Sequence, residues 1–540
     1  MTLHVDRKRR LMVESLGNDL LTDASDSTHV AVPPGAVPPG AVRPGDPRYE
    51  DLALRRRNER FSQRPDYFQV VRTTEETVAA VAAAVRAGRR IAVRSGGHSM
   101  ENSVGERPGG VVIDMSAMNG VYHDPARRAF VVESGATLGE VYRVLYLTWG
   151  VTIPGGWGHS VCVGGHIQGG GYGVLSRALG SVVDYLDAVE VVVVDATGQV
   201  RAVLATRDPS DPHHDLWWAH TGGGGGNFGV VTRYWLRSPE ATGDDPASLL
   251  PRPPVSLLSG VVAWSWRDLP REAFHRLMRN HADWHERNSD PGCRYASLAS
   301  RFVITGRGEE DRPDDIVVAA MLDGGLPDAR SMLESYLDAI GEGVGGVRQI
   351  GEPTPWLYTM MPPVPDGDAQ RGAEYDRYKG KAGYLRRGFS TAQVDTIYDY
   401  LTSPQARVEL ARLWLLAYGG QVNAVDPAAT ALAQRDSVLK AVYIAIWSDE
   451  ADDETNLDWI RRFYRDVYAD TGGVPVPGEI SDGSYINYPD TDLADPRWNT
   501  SGVPWHYLYY KENYPRLQRV KKRWDPLNIF RHTLSIQPAD

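Results

Sequence analysis

The chain is poor in cysteine: Cys162 and Cys293 are its only two in 540 residues. No disulfide framework can support the fold, and a reducing interior is the simpler setting. No apolar run approaches the ~18 residues of a membrane-spanning helix. Residues 12–19 are too polar to be a signal-peptide core behind the basic patch Arg7-Lys8-Arg9-Arg10, and these absences together predict a cytoplasmic protein. Positive charge is not in excess: the net charge of -11 argues against nucleic acid or an anionic membrane as the main partner. The strand–GxGxxG–helix pattern with a following acidic residue is missing, and so is G-x-x-x-x-G-K-[ST], which argues against Rossmann and P-loop sites. His213-His214-Asp215 is the one histidine cluster that invites a metal. Adjacent histidines diverge on a strand or a helix, so no metal site is expected there.

What the chain has in abundance is glycine, 55 residues, and tryptophan, 15. Glycine gathers in Arg94-Ser95-Gly96-Gly97-His98-Ser99, in a run from Pro154-Gly155-Gly156 to Gly169-Gly170-Gly171-Tyr172-Gly173, and in Thr221-Gly222-Gly223-Gly224-Gly225-Gly226-Asn227-Phe228-Gly229. Any one of these is equally well explained by tight turns. Three together predict main-chain N–H groups brought against a flat ring and a pyrophosphate, where side chains would block the approach and successive N–H groups form an anion nest.

At this length two or three domains are expected. Residues 1–46 end in a Pro-Pro-Gly repeat and read as an arm or linker, with folding expected to begin near Asp46. Thr73-Thr74-Glu75-Glu76 predicts a helix start ahead of an Ala/Val-rich run, and strands are expected at 91–93, 111–113, 129–132 and 188–194. Residues 47–245 form one α+β domain by this reading. A Pro- and Asp-rich stretch at 240–254 marks a boundary, and 246–480 form a second α+β domain. That domain combines an antiparallel sheet with helices such as 273–287 and 328–340 on one face. The aromatic tail, 481–540, should end against a core at Asp525-Pro526-Leu527-Asn528-Ile529-Phe530.

The first two glycine segments, then 223–229 and Tyr485-Ile486-Asn487-Tyr488-Pro489-Asp490, occur in an order that resembles the FAD-linked oxidases of the berberine-bridge-enzyme-like group, within the vanillyl-alcohol-oxidase superfamily. The likeness runs from about residue 46 to the end and is greatest to bacterial members that oxidise alcohols on sugars or antibiotic scaffolds. It implies a two-part FAD-binding domain, 47–245 with the tail, around a substrate domain. It also implies FAD bonded through the His98 imidazole to the flavin 8α-methyl, which would raise the flavin potential. By the same resemblance Arg94, Ser95, Gly96, Gly97, Ser99, Gly164, Gly165, His166, Gly170, Gly171, Tyr172, Gly173, Asn227, Gly229, Tyr485 and Asn487 surround the cofactor.

Many relatives carry a second flavin link from a cysteine, and that position falls here on Gly158, with Cys162 four residues later. Cys162 is either a relocated link or a small buried thiol packing as a hydrophobe, and the second reading is favoured. Tyr488 matches the family's base, which needs help because a free tyrosine has a pKa of about 10. Tyr418, before Gly419-Gly420, matches an aromatic that faces the substrate, with Asn423 beyond it. Tyr172 either lines the substrate pocket or covers the flavin. Ala424 stands near where alkaloid-ring-forming members place a glutamate, which speaks against that reaction. The expected activity is oxidation of a secondary alcohol, hemiacetal or sugar primary alcohol to the carbonyl level, with O2 reduced to H2O2, by a monomer or homodimer. A flavin dehydrogenase or desaturase and a flavin-containing drug-binding resistance protein stand as alternatives.

Overall fold

A computed structural model of the chain describes residues 40–540 apart from 56, 104–108, 309–314, 362–376 and 404–408. The basic patch and most of the Pro-Pro-Gly repeat lie outside the described residues. Folding begins earlier than Asp46: Val42 and Phe68 exchange backbone hydrogen bonds of 2.8 Å each, and Val42 is buried. The reason is local, since the pairing supplies partners to main-chain groups of Phe68 that the sheet itself leaves open.

Three β-sheets organise the described residues. β1 (Tyr67–Val70), β2 (Arg90–Arg94) and β3 (Gly110–Asp114) form a small parallel sheet in the order β1-β3-β2. β4 (Val121–Asp124), β5 (Ala129–Glu133), β6 (Leu186–Val194), β7 (Val200–Thr206) and β8 (Val230–Leu236) form an antiparallel sheet in the order β4-β5-β8-β6-β7. The valine run of β6 serves two cores, because alternate side chains leave opposite faces. Val189, Val191 and Val193 enter the main core, while Val192 and Val194 join Ile113, Val81 and Phe530 in a second one. The helix Thr74–Arg86 packs into that second core and starts as expected, with Thr73 Oγ1 accepting from Glu76 N at 3.1 Å.

The third sheet is antiparallel. Its strands are β9 (Ser256–Trp264), β10 (Ala299–Thr305), β11 (Ile316–Asp323), β12 (Val347–Ile350), β13 (Thr354–Pro355), β14 (Arg377–Leu385), β15 (Leu410–Ala417) and β16 (Leu439–Trp447). The order is β12-β9-β11-β10-β15-β16-β14, with β13 beside β9. One face, with Phe302, Leu413, Leu415, Ala441 and Tyr443, enters the main core beneath helices that include Arg271–Arg287, Ala329–Gly341 and Asp453–Val467. The register places Arg301, Leu416, Lys440 and Tyr384 in a row on the opposite face, and a second row runs Trp414, Val442, Ala382. This opposite face is the one the functional site uses.

One buried cation helps to fasten the returning tail to the glycine-rich half. Lys521 Nζ donates to the carbonyls of Asn227 and Phe530 and to Asp525 Oδ2, all at 2.6 Å. Asp525 in turn accepts from the N–H groups of Ile529 and Phe530 at 2.8 and 2.9 Å. Removing one partner of such a pair strands a charge away from water. Lys521→Met is therefore expected to lower stability by about 3–5 kcal/mol in a chemical-denaturation series, with the Lys521→Met/Asp525→Asn double variant losing less than the sum of the singles.

Candidate active site

A cavity of about 520 Å³ lies where the glycine segments meet the free face of the large sheet. Gly96, Gly97 and His98, then Gly164 and Gly165, then residues 224–226 line it, together with Tyr172, Tyr488, Trp414 and Ile444. The glycines do two different jobs. At Gly165 a Cβ would meet nothing within 4 Å, so the backbone leaves open space on the cavity wall. At Gly164 a Cβ would come 2.3 Å from Ser95 Oγ, and at Gly173 one would come 1.8 Å from the Gly155 carbonyl. These two are required by loop-on-loop packing.

His98 sits beyond the end of β2, with Ser160 Oγ 3.1 Å from its Nε2. Burial, with Arg57 adding to it, pushes the imidazole pKa down from 6.5 to about 4. The ring is therefore neutral at pH 7, with a lone pair available on one nitrogen. Cys162 is buried at the N-terminus of the helix Val163–Gln168, and its thiol donates to the Gly135 carbonyl at 3.2 Å. Burial pushes that thiol up to about 12.

Above this stands a cage of tyrosines. Tyr172 Oη and Tyr488 Oη are 3.4 Å apart. Tyr485 Oη accepts from Gly171 N at 3.2 Å and from Asn487 Nδ2 at 2.9 Å. Asn487 Nδ2 also reaches the His166 carbonyl at 2.9 Å, and so ties the tail to the second glycine segment. Lys440, fully buried on β16, ends inside the cage: its Nζ lies 3.3 Å from the Tyr172 ring centre, 3.6 Å from Tyr485 and 4.6 Å from Tyr384. Burial pushes the Lys440 amine well below 10.5. The ring faces act in the opposite sense, because an aromatic quadrupole attracts an ammonium at these distances. Burial likewise raises the Tyr488 hydroxyl, and the hydrogen bond with Tyr172 lowers it; Tyr172 is raised by burial and by Tyr488. Of the two, Tyr488 is the better placed to carry the anion.

Behind Tyr488 runs a buried ion network. Lys379 and Lys381 of β14 both reach Asp490, at 2.8 and 2.5 Å, and both reach Asp492, at 3.4 and 2.8 Å. Lys379 also pairs with Glu101, three residues after His98, and Arg461 closes on Asp492 at 2.9 Å. Against the burial that would lower it, the Asp490, Glu101 and Asp492 carboxylates hold Lys379 above its ordinary pKa. Asp492 is held low by Lys381, Lys379 and Arg461 against the burial that would raise it.

Several expected contacts fall elsewhere. Tyr418 does not line the cavity: its hydroxyl donates to the Gln434 carbonyl at 3.2 Å, and its ring backs Tyr172 edge-on with centres 5.9 Å apart. Asn423 is also off the wall, with its amide donating to the Ser437 carbonyl at 3.0 Å. Tyr418 stays on the sheet face behind Tyr172, whereas for Asn423 the cause is the turn at Gly419 and Gly420, with φ of +85° and +60°, which takes the chain off the sheet. There a Cβ on Gly420 would lie 2.3 Å from the Arg177 carbonyl. Gly170, Gly171 and Gly173 are likewise not wall residues; they pack against Leu432, His166 and Gly155. Arg94 borders the cavity, but its guanidinium is committed to Asp114 at 2.7 Å and to Gln63 Oε1 at 2.7 Å. Ser95, Ser99, Gly158, Cys162, His166, Asn227 and Gly229 all line the cavity.

Known proteins resemble the chain in sequence and fold. Profiles described as an FAD binding domain and as berberine and berberine like match residues 65–203 and 484–537. The chain is 51% identical over 498 residues to the aclacinomycin-N/aclacinomycin-A oxidase of Streptomyces galilaeus, covering 91% of this chain and 89% of that protein. It is 29% identical to the hexose oxidase of Chondrus crispus, across 83% of this chain and 85% of that one. A solved glycopeptide hexose oxidase, complexed with teicoplanin, superposes with a TM-score of 0.88 at 50% identity, over 94% of this chain and 100% of its own. The chain belongs to the berberine-bridge-enzyme-like FAD-linked oxidoreductases.

A berberine-bridge-like oxidoreductase needs FAD, and the wall fits one. Open backbone at Gly165, the glycines at 96–97 and 224–226, and a neutral imidazole at His98 share one cavity. Among the lining residues, Arg301, Arg412 and Trp414 were missed by motif reading, and so was Lys440 beneath the tyrosines. Each had a signal: Lys440 is a lone cation in the otherwise apolar strand Leu439–Trp447, and Arg412, Trp414 and Leu416 alternate along β15. Asp490→Asn should leave two buried ammonium groups short of a counter-charge and cost about 3–5 kcal/mol, read as a lower denaturation midpoint.

Proposed function

We propose that this protein is a flavin oxidase that converts an alcohol on a natural-product or carbohydrate substrate to the carbonyl level, with O2 reduced to H2O2. Relatives named for the oxidation of aclacinomycin and of hexoses support that substrate range. The observation that carries the reading is the Tyr172–Tyr488 pair over Lys440, sharing one cavity with the neutral His98. Bound FAD supplies the hydride acceptor and the path of electrons to O2.

In this reading His98 holds the cofactor through its imidazole. Cys162 makes no second link, because a thiol pushed up to about 12 carries almost no thiolate at pH 7 and is already committed to the Gly135 carbonyl. Tyr488 takes the hydroxyl proton of the substrate as its hydride leaves. Tyr172 donates to Tyr488 and so favours its anionic form. A charge on Lys440 beneath both rings offsets the burial that raises them. Asn487 fixes Tyr485 against the second glycine segment, which keeps the cage closed on its lower side.

Two outcomes test this. Tyr488→Phe should slow anaerobic flavin bleaching by an accepted alcohol by about 10²-fold or more while the flavin stays bound. A rate within a few-fold of wild type would remove Tyr488 from the base role. Lys440→Met removes a cation that favours the phenolate, so the base titrates higher. The limb of the kcat/KM profile that rises with pH should move alkaline by about one unit, since each unit corresponds to 1.36 kcal/mol of lost charge stabilisation. Oxygen uptake matched by peroxide release distinguishes an oxidase from an enzyme that uses another acceptor.

A further inference from the structure

The chain carries a net charge of -11, yet no Asp or Glu stands among the described residues that line the cavity, whereas five arginines do: Arg57, Arg94, Arg301, Arg412 and Arg531. Arg94 is neutralised by Asp114. Arg301 and Arg412 differ from the other lining arginines in place, because they stand on the large sheet and not with the glycine segments or the tail. The Arg301 guanidinium lies 5.8 Å from the Trp157 ring and 5.7 Å from the Trp414 ring, between two flat faces. Trp157 is 40% exposed, and the Trp414 indole N–H is buried with no acceptor. Each guanidinium carries five donors, so a partner already held by Arg301 or Arg412 leaves others for a ligand.

We infer that this wall recognises a flat aromatic ring bearing a carboxylate, held by Arg301 and Arg412 with stacking on Trp157 and Trp414. The inference rests on the oxidase reading above and names the substrate class for that site. The described lining residues hold no carboxylate to repel an entering one, and guanidinium forks match carboxylate geometry in pairs of N–H donors. The Trp414 N–H gains the acceptor it lacks. Arginine beside tryptophan also suits an aromatic ring, through stacking and cation–π attraction.

The register sets the reach. Leu416 pairs with both Arg301 and Lys440, so Arg301 stands two strands from Lys440, or about 10 Å at ~4.8 Å per strand. Arg412 stands four residues along β15 from Leu416, roughly 13 Å at ~3.3 Å per residue. By backbone position both arginines thus lie away from Lys440 and its tyrosine cage, so the carboxylate belongs on a ring remote from the carbinol that meets Tyr488.

Calorimetric titration of the FAD-loaded protein with 6-hydroxy-2-naphthoate and with its neutral isostere 6-hydroxy-2-naphthamide tests this. The expected result is at least about tenfold tighter binding of the carboxylate to wild type, the difference for a charge-assisted pair worth 1.4 kcal/mol or more. The preference should fall to within about twofold in Arg301→Gln/Arg412→Gln, survive in Arg301→Lys, and leave flavin content unchanged; Trp157→Ala should weaken both ligands together. Equal binding of acid and amide, no binding of either, or a preference that survives in the double glutamine variant would overturn the inference. A protein that purifies without flavin, or whose flavin no alcohol bleaches, would strike the oxidase reading instead, and heats of binding would still report on the carboxylate.

Discussion

Two lysines on one strand hold the two ends of the active site together. Lys379 and Lys381 come from β14, Asp490 and Asp492 follow Tyr488, and Glu101 follows His98. Residues more than 380 positions apart in the chain are thereby fixed to one another through a sheet that belongs to neither. Buried ions of this kind contribute little net stability once desolvation is counted, but they tolerate only one register, because any other leaves a charge unpaired. What that register secures is the placing of His98 and Tyr488 on one cavity.

The tyrosine cage depends on that placement. Burial raises every tyrosine hydroxyl in it, which is the wrong direction for a base. In the proposed reading Lys440 offsets this: its protonated form, held by ring faces against the burial that disfavours it, favours a phenolate. The cavity wall also carries arginines, with no Asp or Glu among its described lining residues.

Much of this was legible in the chain, for identifiable reasons. Glycine segments and the Asn-Tyr-Pro-Asp run are local patterns, and so is the Thr73 cap; each can be read without knowing what it packs against. The α+β fold and the antiparallel sheet followed from strand-like segments interleaved with amphipathic helices such as 273–287 and 328–340. The failures were all matters of direction. Asn423 left the sheet face because Gly419 and Gly420 turn the chain at positive φ, and Tyr418 stays on that face but stands behind Tyr172, which residue order alone does not reveal. Gly170 and Gly173 pack against neighbouring loops and stand off the cavity wall, a distinction made only when both loops are in place. Lys440, Arg301 and Arg412 come from three different strands, and only the register brings them onto one face.

The attachment of the flavin is the most direct test, because His98 and the buried thiol of Cys162 line the same cavity. Acid-precipitated wild-type protein, digested and mapped by mass spectrometry, decides it. The account predicts FAD retained through denaturation on a single peptide that contains His98, with Cys162 recovered as a free thiol. A flavin cross-linking the His98 and Cys162 peptides, or one that washes away entirely, would contradict it.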